Sequence, residues 1–284
     1  MPSPPRPPGA SRFVLELGGI TAGSPDAAQG GDAVAEVVVS PAGPDGVQRK
    51  ELGAVRYTDI VLRCGTGMEP PFWTWLSDTL TGKDPQRDGA LRVLDFDRKE
   101  REAVTFTNAL VTEVGFPALD AASRETFHVT VRIAAEHVER GRGSGAAFAA
   151  PVGRKQALVS NFSVSLDGLD LKRVSRVGPL TVRPSEVPDL ELTLAEGVGE
   201  PLVEWHREFV IDGKSSGAKE KSGSISLLDA GVKRTLLQLD LAGVGIFALE
   251  RAAAAAGRDT LPQLTARMYC EELRLAETPP GDGR

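Results

Sequence analysis

Apolar and polar side chains alternate along much of the chain, and the alternation predicts sheet. In the first half it marks strands at Phe13–Leu17, Glu36–Ser40, Asp59–Arg63, Leu91–Phe96, Ala103–Thr107, Leu110–Val114 and Phe127–Ala134. An apolar residue at every second position suits an antiparallel strand with one buried face. One stretch changes period. Across Pro71–Leu80 the side chains of Phe72, Trp75, Leu76 and Leu80 fall on one helical face, and Pro71 fits a first turn. Pro201–Val210 repeats this with Leu202, Trp205 and Phe209, and Gly82 and Gly213 end the pair. Phe72, Trp75, Leu76, Leu202, Trp205 and Phe209 therefore read as anchors that pin each helix to its sheet. The alanine-rich stretch Ala248–Ala256, stopped by Gly257, predicts a further short helix.

The signals recur in the same order in both halves. Phe13–Ile20 matches Phe162–Leu169, and Thr58–Trp75 aligns without a gap on Pro188–Trp205. Identities in the second match are Asp59/Asp189, Leu62/Leu192, Gly67/Gly197, Pro71/Pro201 and Trp75/Trp205. Gly89–Asp95 matches Gly223–Asp229, and Val129–Glu136 matches Leu264–Glu271. Strand patterns resemble one another, so each match alone says little. Four in order, with a shared Pro-x-x-x-Trp, predict a tandem duplication. The expected architecture is mainly β: two antiparallel barrel or sandwich domains, each with one short helix. Long alternation of helix and strand is missing, which argues against a doubly wound or barrel-type α/β enzyme.

Punctuation sets the expected boundaries. Residues 1–11 hold five prolines and read as a disordered arm. Domain 1 spans 12–140, a Gly-rich linker 141–156, domain 2 157–276, and 277–284 is a flexible tail. Composition changes the picture mainly by subtraction. Thirty-three basic and 39 acidic residues leave a net charge of −6, which argues against a general nucleic-acid binder. No apolar run approaches the ~20 residues that span a bilayer. Two cysteines and three histidines supply neither a disulfide framework nor a zinc pattern.

Candidate chemistry is correspondingly thin. Asp59 and Asp189 precede the same strand in each half and read as turn or edge residues; acid–base catalysis would need a pocket that nothing predicts. Trp73 lies off the anchoring helix face and is replaced by Val203 in the second half. Trp73, Asp59 and Asp189 are the candidate interface residues. His128, His137 and His206 read as surface or edge residues, and Cys64 and Cys270 as small apolar fillers. The glycine pairs lie in turns, without a phosphate-binding pattern between strand and helix. The chain is expected to have no catalytic residues, no metal and no cofactor.

The first half resembles the tail tube protein family of contractile phages and phage-tail-like injection systems, Hcp-like tubes included. The similar residues are the opening FVLELGGI, Leu52-Gly53, the Tyr57–Gly65 segment, Trp73-Thr-Trp75, Val93-Leu-Asp95, Thr105–Ala109, and the run from Leu119 to His137. The resemblance covers about residues 13–138, and it implies a ring-forming β-domain stacked into a tube. The family's YReGg segment is missing where this chain reads Val39–Gly46, so the long hairpin that reaches the next ring is expected to be shortened.

The resulting expectation is a structural, non-enzymatic ring protein of a phage tail or contractile injection system, as tube or tube–baseplate adaptor. Duplication favours a trimer with pseudo-sixfold symmetry over a hexamer of two layers. Expected partners are tube, sheath or baseplate proteins, with DNA or protein cargo passing through the lumen and no membrane insertion. Assembly is expected in the cytoplasm. Alternatives are a tail-end cap or baseplate protein of the same machine, and a two-domain β-sandwich binding module.

Overall fold

The computed structural model describes residues 12–83, 85–149, 156–251 and 262–276. The arm expected at 1–11 and the tail expected at 277–284 lie outside the described residues. The first half runs β1 (Arg12–Leu17), β2 (Ile20–Gly23), β3 (Ala27–Gln29), β4 (Ala33–Val39), β5 (Lys50–Tyr57), β6 (Ile60–Cys64), α1 (Pro70–Leu80), β7 (Arg87–Leu94), β8 (Glu100–Phe116), β9 (Leu119–Asp120), β10 (Val129–Ala134) and β11 (His137–Arg142). The second half follows with β12 (Phe162–Leu166), β13 (Val174–Val177), β14 (Leu180–Val182), β15 (Leu190–Ala195), α2 (Glu200–His206), β16 (Lys221–Leu228), β17 (Thr235–Arg251) and β18 (Gln263–Leu275). Past α2 the chain widens into a π-helical turn, Arg207–Ile211. The protein is mainly β.

The first sheet has the order β2-β1-β7-β8-β10-β6-β3, with β11 and β14 also on β8. Strand β8 joins its parts. Its opening residues pair with β7 and β11, and its later ones with β10 and β14. The sequence predicts two strands here, Ala103–Thr107 and Leu110–Val114; they are one strand with a kink. Asn108 sits at the kink with φ 49°, a backbone conformation that Asn tolerates. Its N–H donates to Asp88 Oδ1 at 2.9 Å, so the irregularity is held by hydrogen bonds and never becomes a turn.

Strand registers repeat from half to half. Phe13 lies opposite Val93 and Leu17 opposite Gly89; Phe162 lies opposite Leu227 and Leu166 opposite Gly223. On the other side of the core, Ile60, Leu62 and Cys64 face Ile133, Val131 and Val129, while Leu190, Leu192 and Leu194 face Met268, Ala266 and Leu264. These are the residues that the sequence matches put in correspondence. The irregularities repeat as well. A β-bulge skips Thr112 in β8 and Phe247 in β17. Asn108 and Gly243, at φ 49° and 62°, occupy matching places, as do Arg98 and Val232 at φ 62° and 54°. Asp95 Oδ1 accepts from the Lys99 N–H at 2.8 Å, and Asp229 Oδ1 from the Lys233 N–H at 2.9 Å, so both hairpin loops close alike.

The halves meet through backbone pairing. Leu180, Thr181 and Val182 of β14 lie opposite Phe116, Gly115 and Val114 of β8, and β13 pairs with β9. The second sheet, β12-β16-β17-β18-β15-β13-β9, therefore ends on a strand of the first half. Phe116, Leu119, Val177 and Leu180 are buried at this joint, within one apolar cluster that runs through both halves.

Three segments depart from the sequence reading. Gly141 and Arg142 belong to β11, and the segment that follows is bonded to the β7–β8 loop region: the Gly143 N–H donates to Arg101 O at 2.8 Å and the Phe148 N–H to Arg98 O at 3.0 Å. Gly-rich composition here serves close approach, since a Cβ on Gly143 would meet the Glu100 backbone. Ala248–Arg251 is the end of strand β17, because its pairing with β18 outweighs helix propensity; 252–256 lies outside the described residues. The hairpin expected to be shortened is present. Strands β4 and β5 form a two-stranded ribbon of their own, with Ala35 opposite Val55 and Val37 opposite Leu52. In the second half the matching place is a tight turn in which Arg183 pairs with Glu186.

Gly89 and Gly223 are the first residues of one sequence match, and the structure gives the reason. A Cβ on Gly89 would run into Glu16 O and the Phe106 ring; one on Gly223 would run into Ser165 O. Gly89→Ala and Gly223→Ala should each cost about 1–3 kcal/mol as overpacking. Denaturant unfolding of the purified variants measures the loss, and unchanged midpoints would refute the close approach.

Candidate functional site

The helix residues that the sequence marks as anchors lie in the core. Phe72, Trp75 and Leu76 are fully buried, as is Leu202; Trp205 and Phe209 are nearly so. Thr79 completes the buried face of α1, its hydroxyl donating to Trp75 O at 2.9 Å, while Leu80 is half-buried. The two tryptophans differ in their polar end. Trp75 Nε1 donates to Pro85 O at 2.9 Å, whereas Trp205 Nε1 has no acceptor among the described residues. Around Trp205 lie Phe209, edge-on at 6.0 Å, and Lys221, whose ammonium stands 5.3 Å from the ring centre.

The candidate interface residues are scattered. Trp73 is half-buried; its indole N–H donates to Met68 O at 3.0 Å and its ring meets Phe72 edge-on. Asp59 lies 3.6 Å from Arg132, and Asp189 is exposed. They stand just before β6 and β15, as their shared place in the repeat requires, and share no pocket. Tyr57 Oη and His137 Nδ1 are 3.0 Å apart at the base of the β4–β5 hairpin. His128 Nδ1 lies within 2.9 Å of Thr126 O and of Arg63 Nη2. Among the described residues no three metal-ligand side chains cluster. Both cysteines are buried and unpaired, and burial pushes the Cys64 thiol far above its ordinary value. A small apolar cavity of about 20 Å³ lies at the joint between Phe116, Leu119, Val177 and Leu239, with no convergent polar groups.

Two features carry no sequence signal that was used. The first is a buried carboxylate, Glu100, which bonds Arg92 Nη1 at 2.9 Å and the Ser144 N–H at 3.0 Å. Arg92 is shared with Glu16, also at 2.9 Å. Burial raises the Glu100 pKa, but the bonds from Ser144 and Arg92 more than offset this and hold it below the usual carboxylate value. The second is the apolar surface. Val34, Val37, Val38, Val39, Leu52 and Val55 are exposed on the hairpin, and Val210 and Ile211 after α2. An isolated two-stranded ribbon is marginal in water, and this one displays its apolar cross-strand pairs to solvent, which marks it for contact with another surface. The run Val37-Val-Val39 is legible in the sequence; its lack of cover is not.

Residues 9–139 match the family described as T4-like virus tail tube protein gp19. That match spans the first half of the chain, from before β1 into β11. The second half shares its strand registers and bulges. None of the curated proteins matches the chain. Among solved structures the chain is similar to the tube-terminating cap of the anti-feeding prophage, at 19% identity over 50% of this chain and 96% of that one, TM-score 0.42. It is also similar to a chain of the sheath–tube complex of the extracellular contractile injection system PVC, at 20% identity over 49% and 93%, TM-score 0.42. A third is Hcp1 from Flavobacterium johnsoniae, at 14% identity over 46% and 96%, TM-score 0.29.

Two outcomes test the roles of these buried polar groups. Trp75→Phe strands the Pro85 carbonyl and leaves a gap, whereas Trp205→Phe only reduces volume, so unfolding experiments should show the larger loss for the first. Glu100→Gln should cost about 1.5–3 kcal/mol at neutral pH, the range for hydrogen bonds to charged groups. A carboxylate with a lowered folded-state pKa stabilises above its unfolded value and loses that contribution as pH falls through the folded one. The gap between wild type and Glu100→Gln should therefore narrow in acid; a pH-independent gap would contradict the role given to the charge.

Proposed function

We propose that the chain is a structural ring-forming protein of a phage tail or contractile injection particle. The observation that carries this is the joint between the halves. It is head-to-tail: the end of β8 with β9 on one side, β13 with β14 on the other. A heterologous joint repeats around a ring when the rotation closes. Three chains would then supply six domains around one channel, so the trimer is preferred over six chains in two layers. Cargo passes through the lumen without a dedicated binding site. Among the described residues no helix is long and apolar enough to cross a membrane.

The hairpin is the surface by which such a ring would meet its neighbour in the stack, through the exposed Val37–Leu52 pair and the exposed Val55. Only the first half carries it. Arg183 and Glu186 close a tight turn at the equivalent place, so a ring would present long hairpins at alternate positions. That asymmetry favours an adaptor or cap position over a uniform tube.

Native mass measurement of the purified protein should give three times the 30.1 kDa of one chain. A closed ring of six chains would rule the trimer out. Leu52→Asp, on an exposed hairpin position, should leave the trimer and its thermal stability intact while abolishing stacking seen by sedimentation. Stacks that persist would remove the hairpin from that role.

A further inference from the structure

The β4–β5 hairpin pairs with no other strand among the described residues, so something other than a ladder must set its angle. The chain enters it through Gly30 and Gly31, at φ 88° and 75°, and leaves it through Thr58. At this root the two legs bond each other. The Gly31 N–H donates to Thr58 O at 3.0 Å, the Thr58 N–H to Asp32 O at 2.9 Å and the Asp32 N–H to Thr58 Oγ1 at 3.0 Å. Two side chains of β11 then tie the root to the rest of the first half. Arg140 Nη2 donates to Gly30 O at 2.6 Å and to Asp32 Oδ1 at 3.1 Å, while its Nη1 donates to Glu102 Oε1 at 2.9 Å. His137 meets the Tyr57 ring edge-on at 5.3 Å, with Nδ1 3.0 Å from Tyr57 Oη.

The second half shows what these residues are for, because it lacks the hairpin and has a tight turn in its place. Its ladder sets Leu275 opposite Leu239 as Arg140 stands opposite Val104, and Glu272 opposite Ala242 as His137 stands opposite Thr107. Leu237 faces Leu227 as Glu102 faces Val93. Tyr57, one residue before the ungapped match, corresponds to Val187. Where the hairpin is missing, the guanidinium, its carboxylate partner, the imidazole and the phenol are therefore all replaced, and Leu237 and Leu275 are simply buried. Exposed ion pairs contribute little to stability, so the Arg140 cluster is poorly explained as a device for holding the first half together.

We infer that Arg140, with the Tyr57–His137 contact beside it, is a latch that holds the hairpin at one angle before it meets a partner. The inference rests on the reading of the hairpin as a contact surface and names the residue that positions it. Arg140 acts through Gly30 and Asp32 and has no need to touch the partner. A hairpin released from the latch swings about Gly30–Gly31 and spends only part of its time at the angle that docks. Its apparent affinity then falls by that fraction, although every docking side chain is still present.

Nitroxide labels on Val47→Cys, at the hairpin tip, and Thr74→Cys, on the exposed side of α1, read the angle by double electron–electron resonance; both native cysteines are buried. Labelled chain diluted into unlabelled chain should give one narrow distance distribution, and Arg140→Ala should broaden it. The same variant should weaken stacking about tenfold by sedimentation, the equilibrium worth of one hydrogen bond to a charged group. Arg140→Lys keeps the charge without the fork and should fall between. Tyr57→Phe removes the bond to His137 alone and should also broaden the distribution, which keeps the test open if Arg140→Ala does not fold. A distribution that stays narrow in these variants overturns the latch and leaves the hairpin's contact role standing. A broadened distribution with unaltered stacking overturns the positioning role. Stacking that survives Leu52→Asp overturns the underlying reading, whatever the label distances show.

Discussion

The joint between the two halves is the constraint on which the rest of the structure depends. It is made of backbone hydrogen bonds between β14 and β8 and between β13 and β9, sealed by Phe116, Leu119, Val177 and Leu180. Because the two sides of that joint are different surfaces, using one pair leaves the other pair unsatisfied at the far ends of the chain. Sheet edges left open are a hazard for a free monomer. In the ring we propose they would be the means of closure, a use in keeping with the first half's match to the tail tube family.

Much of this architecture was legible from the sequence, and the reason is physical. The sheet core is a period-2 pattern, the helix a period-3.6 pattern, and both survive duplication because each copy must bury the same faces. Hence the alignment of Thr58–Trp75 on Pro188–Trp205 matches strands of the same register, and Trp75 and Trp205 are both buried. Even Gly89 and Gly223, which look like incidental identities, sit where a side chain would strike the neighbouring strand. Position in a repeat thus carries more structural information than composition does.

What was not legible depends on contacts distant in sequence. Ala248–Arg251 reads as helix by propensity, yet eleven residues of β17 pair with β18, and the ladder decides. The Gly-rich start of the 141–156 segment reads as linker, yet Ser144 bonds the buried Glu100 across 44 residues. The hairpin of β4 and β5 lacks the motif expected of it, and its strands nevertheless pair, with Val37 opposite Leu52 and Ala35 opposite Val55. Trp73, singled out because it breaks the repeat, spends its N–H on Met68 within its own half. Local pattern finds elements; it does not say which carbonyl, edge or charge lies opposite.

The central claim is that one chain is two versions of the same ring segment. Electron microscopy of the purified assembly, averaged in projection along the channel, tests it most directly. The account predicts one layer of six similar lobes built from three chains, with the extra density of the long hairpin at every second lobe. Two stacked layers built from six chains, or six lobes each bearing a hairpin, would contradict it.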